Sequence, residues 1–138
     1  MGVEVGVGDL VRSYTELRDS AVSQGGSAAR LLQFYSVECG LKAAVLGKNG
    51  TNARSTADLP PELRTHDLRA LAKALKLSAE TIGQLGGCRR RHNQQSRVEQ
   101  HQLHEAWRYG AALNEDDEKA ADAALSSLSS WCRREHNR

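Results

Sequence analysis

Apolar residues recur along this chain with the period of a helix, and no segment alternates convincingly as a strand would, so strand content near zero is expected. Breaker and cap residues divide the pattern into about five helical segments. The first runs from Gly8-Asp9 to Gln24-Gly25-Gly26, with Leu10, Tyr14, Leu17 and Ala21 on one face and Asp9 as its cap. The second runs from Ser27, its N-cap, to Leu46 before Gly47. It carries two apolar stripes: Ala28, Leu32, Tyr35, Cys39, Ala43 and Leu46, then Leu31, Phe34, Leu41 and Val45. Two stripes predict burial on most sides and a central place in a bundle. Glu38 falls inside the second stripe, where a carboxylate needs a partner or an opening to solvent. Lys42, one turn on, is the simplest partner.

Residues 47–64 hold Gly50, Asn52, Ser55 and Pro60-Pro61 and read as a long loop, mobile or functional. A third helix begins near Thr65-His66-Asp67 and turns Leu68, Leu71, Ala72 and Leu75 inward. His66-Asp67 reads most simply as its cap. Ser78 caps a short turn with Ile82 and Leu85, ended by Gly86-Gly87. Ser96 to Tyr109 is expected as a fourth helix, with Val98, Leu103, Ala106 and Trp107 inside. The last helix starts near Asn114 with acids in its first turn and Arg133 and Arg134 near its end, as the helix dipole favours. Trp107 and Trp131 are expected in the core.

At 138 residues the chain suits one domain, 1–138, with one core. Hydrophobic residues make up 39% and aromatic ones only 4%, so Leu, Ala and Val must fill an interior of closely packed helices. The fold class expected is all-α, an up-down helical bundle. A net charge of +2 names no partner, but Arg89, Arg90, Arg91 and Arg97 cluster beside His92. Such a run either meets phosphates or is a solvated basic turn. Cys39, Cys88 and Cys132 are widely spaced and form no zinc pattern, so reduced cytosolic thiols are expected, with Cys39 buried. Neither a signal peptide nor a membrane span is legible, and the expected location is cytoplasmic.

The stretch from Arg91 to Arg108 holds the candidate chemistry. On a helix, at about 100° per residue, Arg97, His101, His104 and Arg108 fall on one face. A histidine titrates near neutrality and can move the proton of a ribose 2′-hydroxyl. An arginine can hold the scissile phosphate bidentately. The 2′-hydroxyl is the nucleophile, so no metal or cofactor is called for. The competing reading is a wet helix face with His101 and Glu105 paired. No Gly-rich phosphate loop is present, and no Ser-His-Asp set can be assembled.

The pattern resembles the HEPN superfamily in three features taken in order: the central helix LLQFYSVECGLKAAVL, then a Pro-containing loop followed by His66-Asp67-Leu68, then Arg97 and His104 with six residues between them. That spacing is within the R-x(4–6)-H pattern of the catalytic members. Val98 follows Arg97 where those members often carry Asn or another polar residue. The resemblance spans about Leu10 to Trp131. It implies a homodimer whose composite cleft cleaves RNA without a metal, with Arg97 on the phosphate and His104 as acid or base. His101, Arg108, Glu38, Arg90 and Arg91 would support the site or bind RNA. It also implies a role as toxin or effector in bacterial defence or toxin–antitoxin systems, with a cognate antitoxin or larger defence protein as partner. The alternative is a non-catalytic HEPN-like module docked on a partner protein. A helical DNA-binding protein using Arg89 to Arg91 ranks last, because no helix-turn-helix spacing follows that run.

Overall fold

A computed structural model describes residues 4–23, 26–48 and 55–136. It is an all-α bundle. The six α-helices of the described residues are α1 (Val7–Ser23), α2 (Gly26–Lys48), α3 (Leu68–Ala74), α4 (Ala79–Gly83), α5 (Leu103–Arg108) and α6 (Glu115–His136). A small two-stranded sheet pairs β1 (Cys88–Arg89) antiparallel with β2 (Arg97–Val98). None of these helices is long and apolar enough to cross a membrane.

Helix α2 is central and touches α1, α3, α5 and α6. Its second stripe is the one most deeply buried: Phe34, Leu41 and Val45 are in the core with Val37, while Ala28 of the first stripe is exposed. Burial is therefore concentrated in the C-terminal half of α2. The long helix α6 lays Ala121, Ala124, Leu125, Leu128 and Cys132 on the same core. Truncating a fully buried leucine such as Leu41 or Leu128 would cost about 2–5 kcal/mol. Trp107 is buried and donates its Nε1–H to Glu118 at 3.0 Å, and Arg30 of α2 stands 3.6 Å from that same carboxylate. These polar contacts fix α5, α6 and α2 together. Trp131 is only partly buried, at the edge of the core, as is Cys39, and Leu17 is half-buried.

Two expectations need correction. The loop proposed for residues 47–64 is not loose over its second half: Thr56–Asp58 and Pro61–Leu63 are 3-10 turns, and Leu59 and Leu63 are buried. Ser55 and Asp58 form a capping box there, and Thr56 N–H donates to the Val5 carbonyl at 2.7 Å, which ties the segment to the N-terminal end. The stretch carrying Gly50 and Asn52 lies outside the described residues.

The second correction concerns Ser96–Tyr109, which is not one helix. Arg97 and Val98 form β2, Gln100–Gln102 is a 3-10 turn, and the α-helix starts only at Leu103. The reason is local. Val98 buries its side chain opposite Cys88, a pairing that extended backbone makes and helical backbone cannot. The close approach at Gly87 explains why only glycine fits: a Cβ there would meet the Val98 carbonyl oxygen at 2.2 Å.

Strand content is near zero as expected, confined among the described residues to the two short strands β1 and β2. The arginine run supplies it. Arg89 makes a bidentate pair with Asp117 at 2.9 and 3.1 Å, and its backbone N–H donates to the same carboxylate. Asn114 caps α6 by accepting from Asp117 N–H at 3.0 Å. Thus Arg89 is engaged in anchoring the sheet to the start of α6, while Arg90 and Arg91 remain exposed.

Candidate active site

Glu38 enters the core stripe of α2 because the bundle leaves one edge open beside α3 and α5. Its side chain is 11% exposed. One oxygen takes the Lys42 ammonium at 3.0 Å, as the i,i+4 spacing requires, and the other takes His66 Nδ1 at 2.6 Å. A carboxylate paired with lysine only accepts, so the bond places the imidazole proton on Nδ1 and leaves Nε2 free. The His66 side chain is 53% exposed. It is therefore oriented from behind by a buried acid and open in front.

Asp67 sets this arrangement. It caps α3 by accepting from Arg69 and Ala70 N–H at 3.0 and 3.3 Å, which fixes the chain direction one residue after His66. From the other side, α5 brings His104 onto the His66 ring, with centroids 4.2 Å apart and planes tilted by 37°. His104 is 5% exposed and also packs on Phe34 and Tyr35. Its Nδ1 is buried without a hydrogen-bond partner, and its Nε2 lies 3.9 Å from Glu105. Burial holds the His104 imidazole below the ordinary histidine range, and His66 beside it pushes the same way. Arg108, one turn further, hydrogen-bonds the Tyr35 hydroxyl and lies over its ring, 5.8 Å from the centroid.

Of the residues singled out from sequence, His104, Arg108 and Glu38 meet here. Arg97 does not sit on their helix: it is exposed on β2 and lines a separate cleft with Asp67, Arg69, Gln100 and His101. Arg90 and Arg91 lie beyond β1. Arg91 donates to the Leu113 carbonyl at 3.1 Å. The Lys42–Glu38 pair is the one the sequence predicts, whereas His66 and Tyr35 are not legible from the sequence as members of the cluster. The cap that the sequence assigns to His66-Asp67 is supplied by the Asp67 side chain. The legible signal was Glu38, an acid in an apolar stripe with more lone pairs than Lys42 can use.

Chemically, the cluster offers an oriented imidazole with a free nitrogen, a second imidazole kept neutral against it, and cations at Lys42 and Arg108. Among the described residues no group of three or more His, Cys, Asp or Glu side chains is placed to hold a metal ion. No family model, curated protein or solved structure matches this chain.

Proposed function

We propose that this chain is a HEPN-type, metal-independent endoribonuclease whose working base is His66, held by Glu38. The carrying observation is the 2.6 Å bond from His66 Nδ1 to a buried carboxylate, with the ring half open to solvent. In this reading Nε2 of His66 takes the proton of a ribose 2′-hydroxyl. The 2′-oxygen attacks the adjacent phosphorus, the bond to the 5′-oxygen breaks, and that oxygen leaves with a proton from solvent. The products are a 2′,3′-cyclic phosphate and a 5′-hydroxyl. Arg108 stabilises charge on the phosphoryl oxygens. His104 packs on the base ring and positions it.

A homodimer belongs to this reading. Tyr109, next to Arg108, is the large hydrophobic side chain left 78% exposed among the described residues, and a second copy would cover it in this reading. Activity of this kind suits a toxin or defence effector restrained by a cognate antitoxin.

A second reading, a non-catalytic HEPN-like module docked on a partner protein, is favoured by the deep burial of His104 and by the place of Arg97 in a different element. Cleavage of end-labelled single-stranded RNA and total tRNA in EDTA separates the two. The nuclease reading expects cyclic-phosphate ends from the wild type and a loss of about 10²–10⁴-fold in His66→Ala. Equal rates in His66→Ala, or no cleavage of any RNA, would give the docking module precedence.

A further inference from the structure

The segments that bring His66 to His104 also build a second feature beside them. Asp67 and Arg69 follow His66, and Arg97, Glu99, Gln100 and His101 precede His104. Together with Leu85, Gly86 and Gly87 they line one open cleft. Gln100 is 6% exposed, and its two polar atoms fare differently. Its Oε1 accepts from Leu68 N–H at 3.1 Å, which fixes the amide's orientation. Its Nε2, which carries two hydrogens, is buried with no hydrogen-bond partner. A buried amide donor left unpaired costs about 1–3 kcal/mol. A ligand acceptor would recover that cost.

The charges around this amide point to the ligand's chemistry. Arg97 is exposed and Arg69 reaches only the Leu85 carbonyl, at 3.4 Å. His101 is exposed beside them. The two acids are Asp67, whose Oδ1 is engaged by the backbone at the start of α3, and exposed Glu99. Two exposed arginines lining the same cleft as a glutamine with an unsatisfied amide donor suit a phosphate beside an acceptor-bearing nucleobase. An unstacked nucleotide presents both at once.

We propose that this cleft is a nucleotide subsite for single-stranded RNA, with Arg69 and Arg97 on a backbone phosphate and Gln100 Nε2 donating to an acceptor of the adjacent base. The proposal rests on the ribonuclease reading for its substrate class and makes Arg97 a binding residue, not a catalytic one.

The test separates binding from cleavage. A fluorescein-labelled 2′-O-methyl RNA hexamer lacks the nucleophilic hydroxyl, so it reports affinity by anisotropy without being cut. Arg69→Ala and Arg97→Ala should each weaken binding about tenfold and each flatten the dependence of log K on log salt by about one phosphate contact. Gln100→Glu keeps the acceptor for Leu68 and removes the donors, and it should weaken binding further. Melting curves check that each variant is folded.

No binding by the wild type, or an Arg69→Ala/Arg97→Ala double variant within about twofold of it, overturns the subsite. Equal affinity for a 2′-O-methyl duplex through the same arginines overturns its single-strand character. Cleavage of the unmodified strand is read in parallel. A wild type that cuts while the cleft variants bind normally retires the subsite and leaves the nuclease. A wild type that binds through these arginines but never cuts does the reverse.

Discussion

Glu38 and His66 lie 28 residues apart and share a 2.6 Å hydrogen bond at the edge of the bundle. Neither position explains itself locally. Glu38 is too buried for an ordinary surface acid, and His66 is displaced from the capping role by Asp67. Each is accounted for by the other, with Lys42 neutralising the charge that burial would otherwise penalise.

Glu38→Gln keeps an acceptor for His66 but removes the negative charge behind the ring. If His66 is a base, its imidazolium loses that support. Single-turnover cleavage should fall about ten- to a hundredfold, while affinity for the 2′-O-methyl hexamer stays constant. A fall in affinity with an unchanged cleavage rate would assign Glu38 to RNA binding instead. The variant also leaves Lys42 without its ion pair, so a loss of about 1–3 kcal/mol in stability should accompany it.

His104 makes stability depend on pH. Its pKa in the fold is lowered from the ordinary 6.5 by burial first and by His66 second, against the opposing pull of Glu105 and Glu38. Above that ordinary value the ring is neutral in both folded and unfolded chains and contributes no pH dependence. As pH falls below 6.5, the unfolded chain takes the proton first, so stability declines until the pH passes the lowered folded value. His104→Phe keeps an aromatic ring on Phe34 and His66, removes the titration and removes the unpaired Nδ1. Urea unfolding between pH 7.5 and 5 should show a shallower loss in this variant. The variant should also be about 1 kcal/mol more stable at the acid end. An unchanged pH slope would show that other groups set it.

The thiols should be quiet. Burial pushes Cys88 and Cys132 up to about 12 and Cys39 up to about 11. At pH 8 only about a thousandth of Cys39 is thiolate, and less of the other two. A chromogenic disulfide reagent should therefore react slowly with the folded protein, Cys39 first, and fast with all three after urea is added. Rapid labelling of the native state would mean that the α2–α6 packing opens readily.

The helices were legible wherever periodicity and caps agreed. Ser78 and Asn114 cap their helices as expected and α6 follows its acidic first turn and basic end, whereas Asp9 and Ser27 lie inside the first turns of α1 (Val7–Ser23) and α2 (Gly26–Lys48) and do not cap them. The stretch from Arg91 to Tyr109 was not. Placing Arg97, His101, His104 and Arg108 on one face assumed continuous helix, whereas Val98 is drawn into a strand by Cys88 across a glycine contact that only the folded backbone reveals. The same limit hid His66. Its partner is on another helix, and a single sequence gives no distance between helices. The burial of Glu38 was the one local trace of that contact.

Gly40 tests the packing that holds α2 against α6. A Cβ built there would lie 2.7 Å from Cys132 Sγ and 3.1 Å from both Cys132 Cβ and Tyr14 Cδ1. Helix propensity alone favours alanine over glycine by about 1 kcal/mol, yet the contact is too short to absorb without movement of α6. Gly40→Ala should therefore destabilise by about 1–3 kcal/mol. Cys132→Ala should also destabilise, because it removes a fully buried sulfur. In the double variant the new methyl occupies the space the sulfur has left. The two losses should then sum to less than their separate values, with a coupling of about 1 kcal/mol or more in the cycle. Strict additivity by urea denaturation would mean that α6 moves aside freely and that the close approach at Gly40 does not set the helix spacing. A Gly40→Ala variant as stable as the wild type would carry the same meaning.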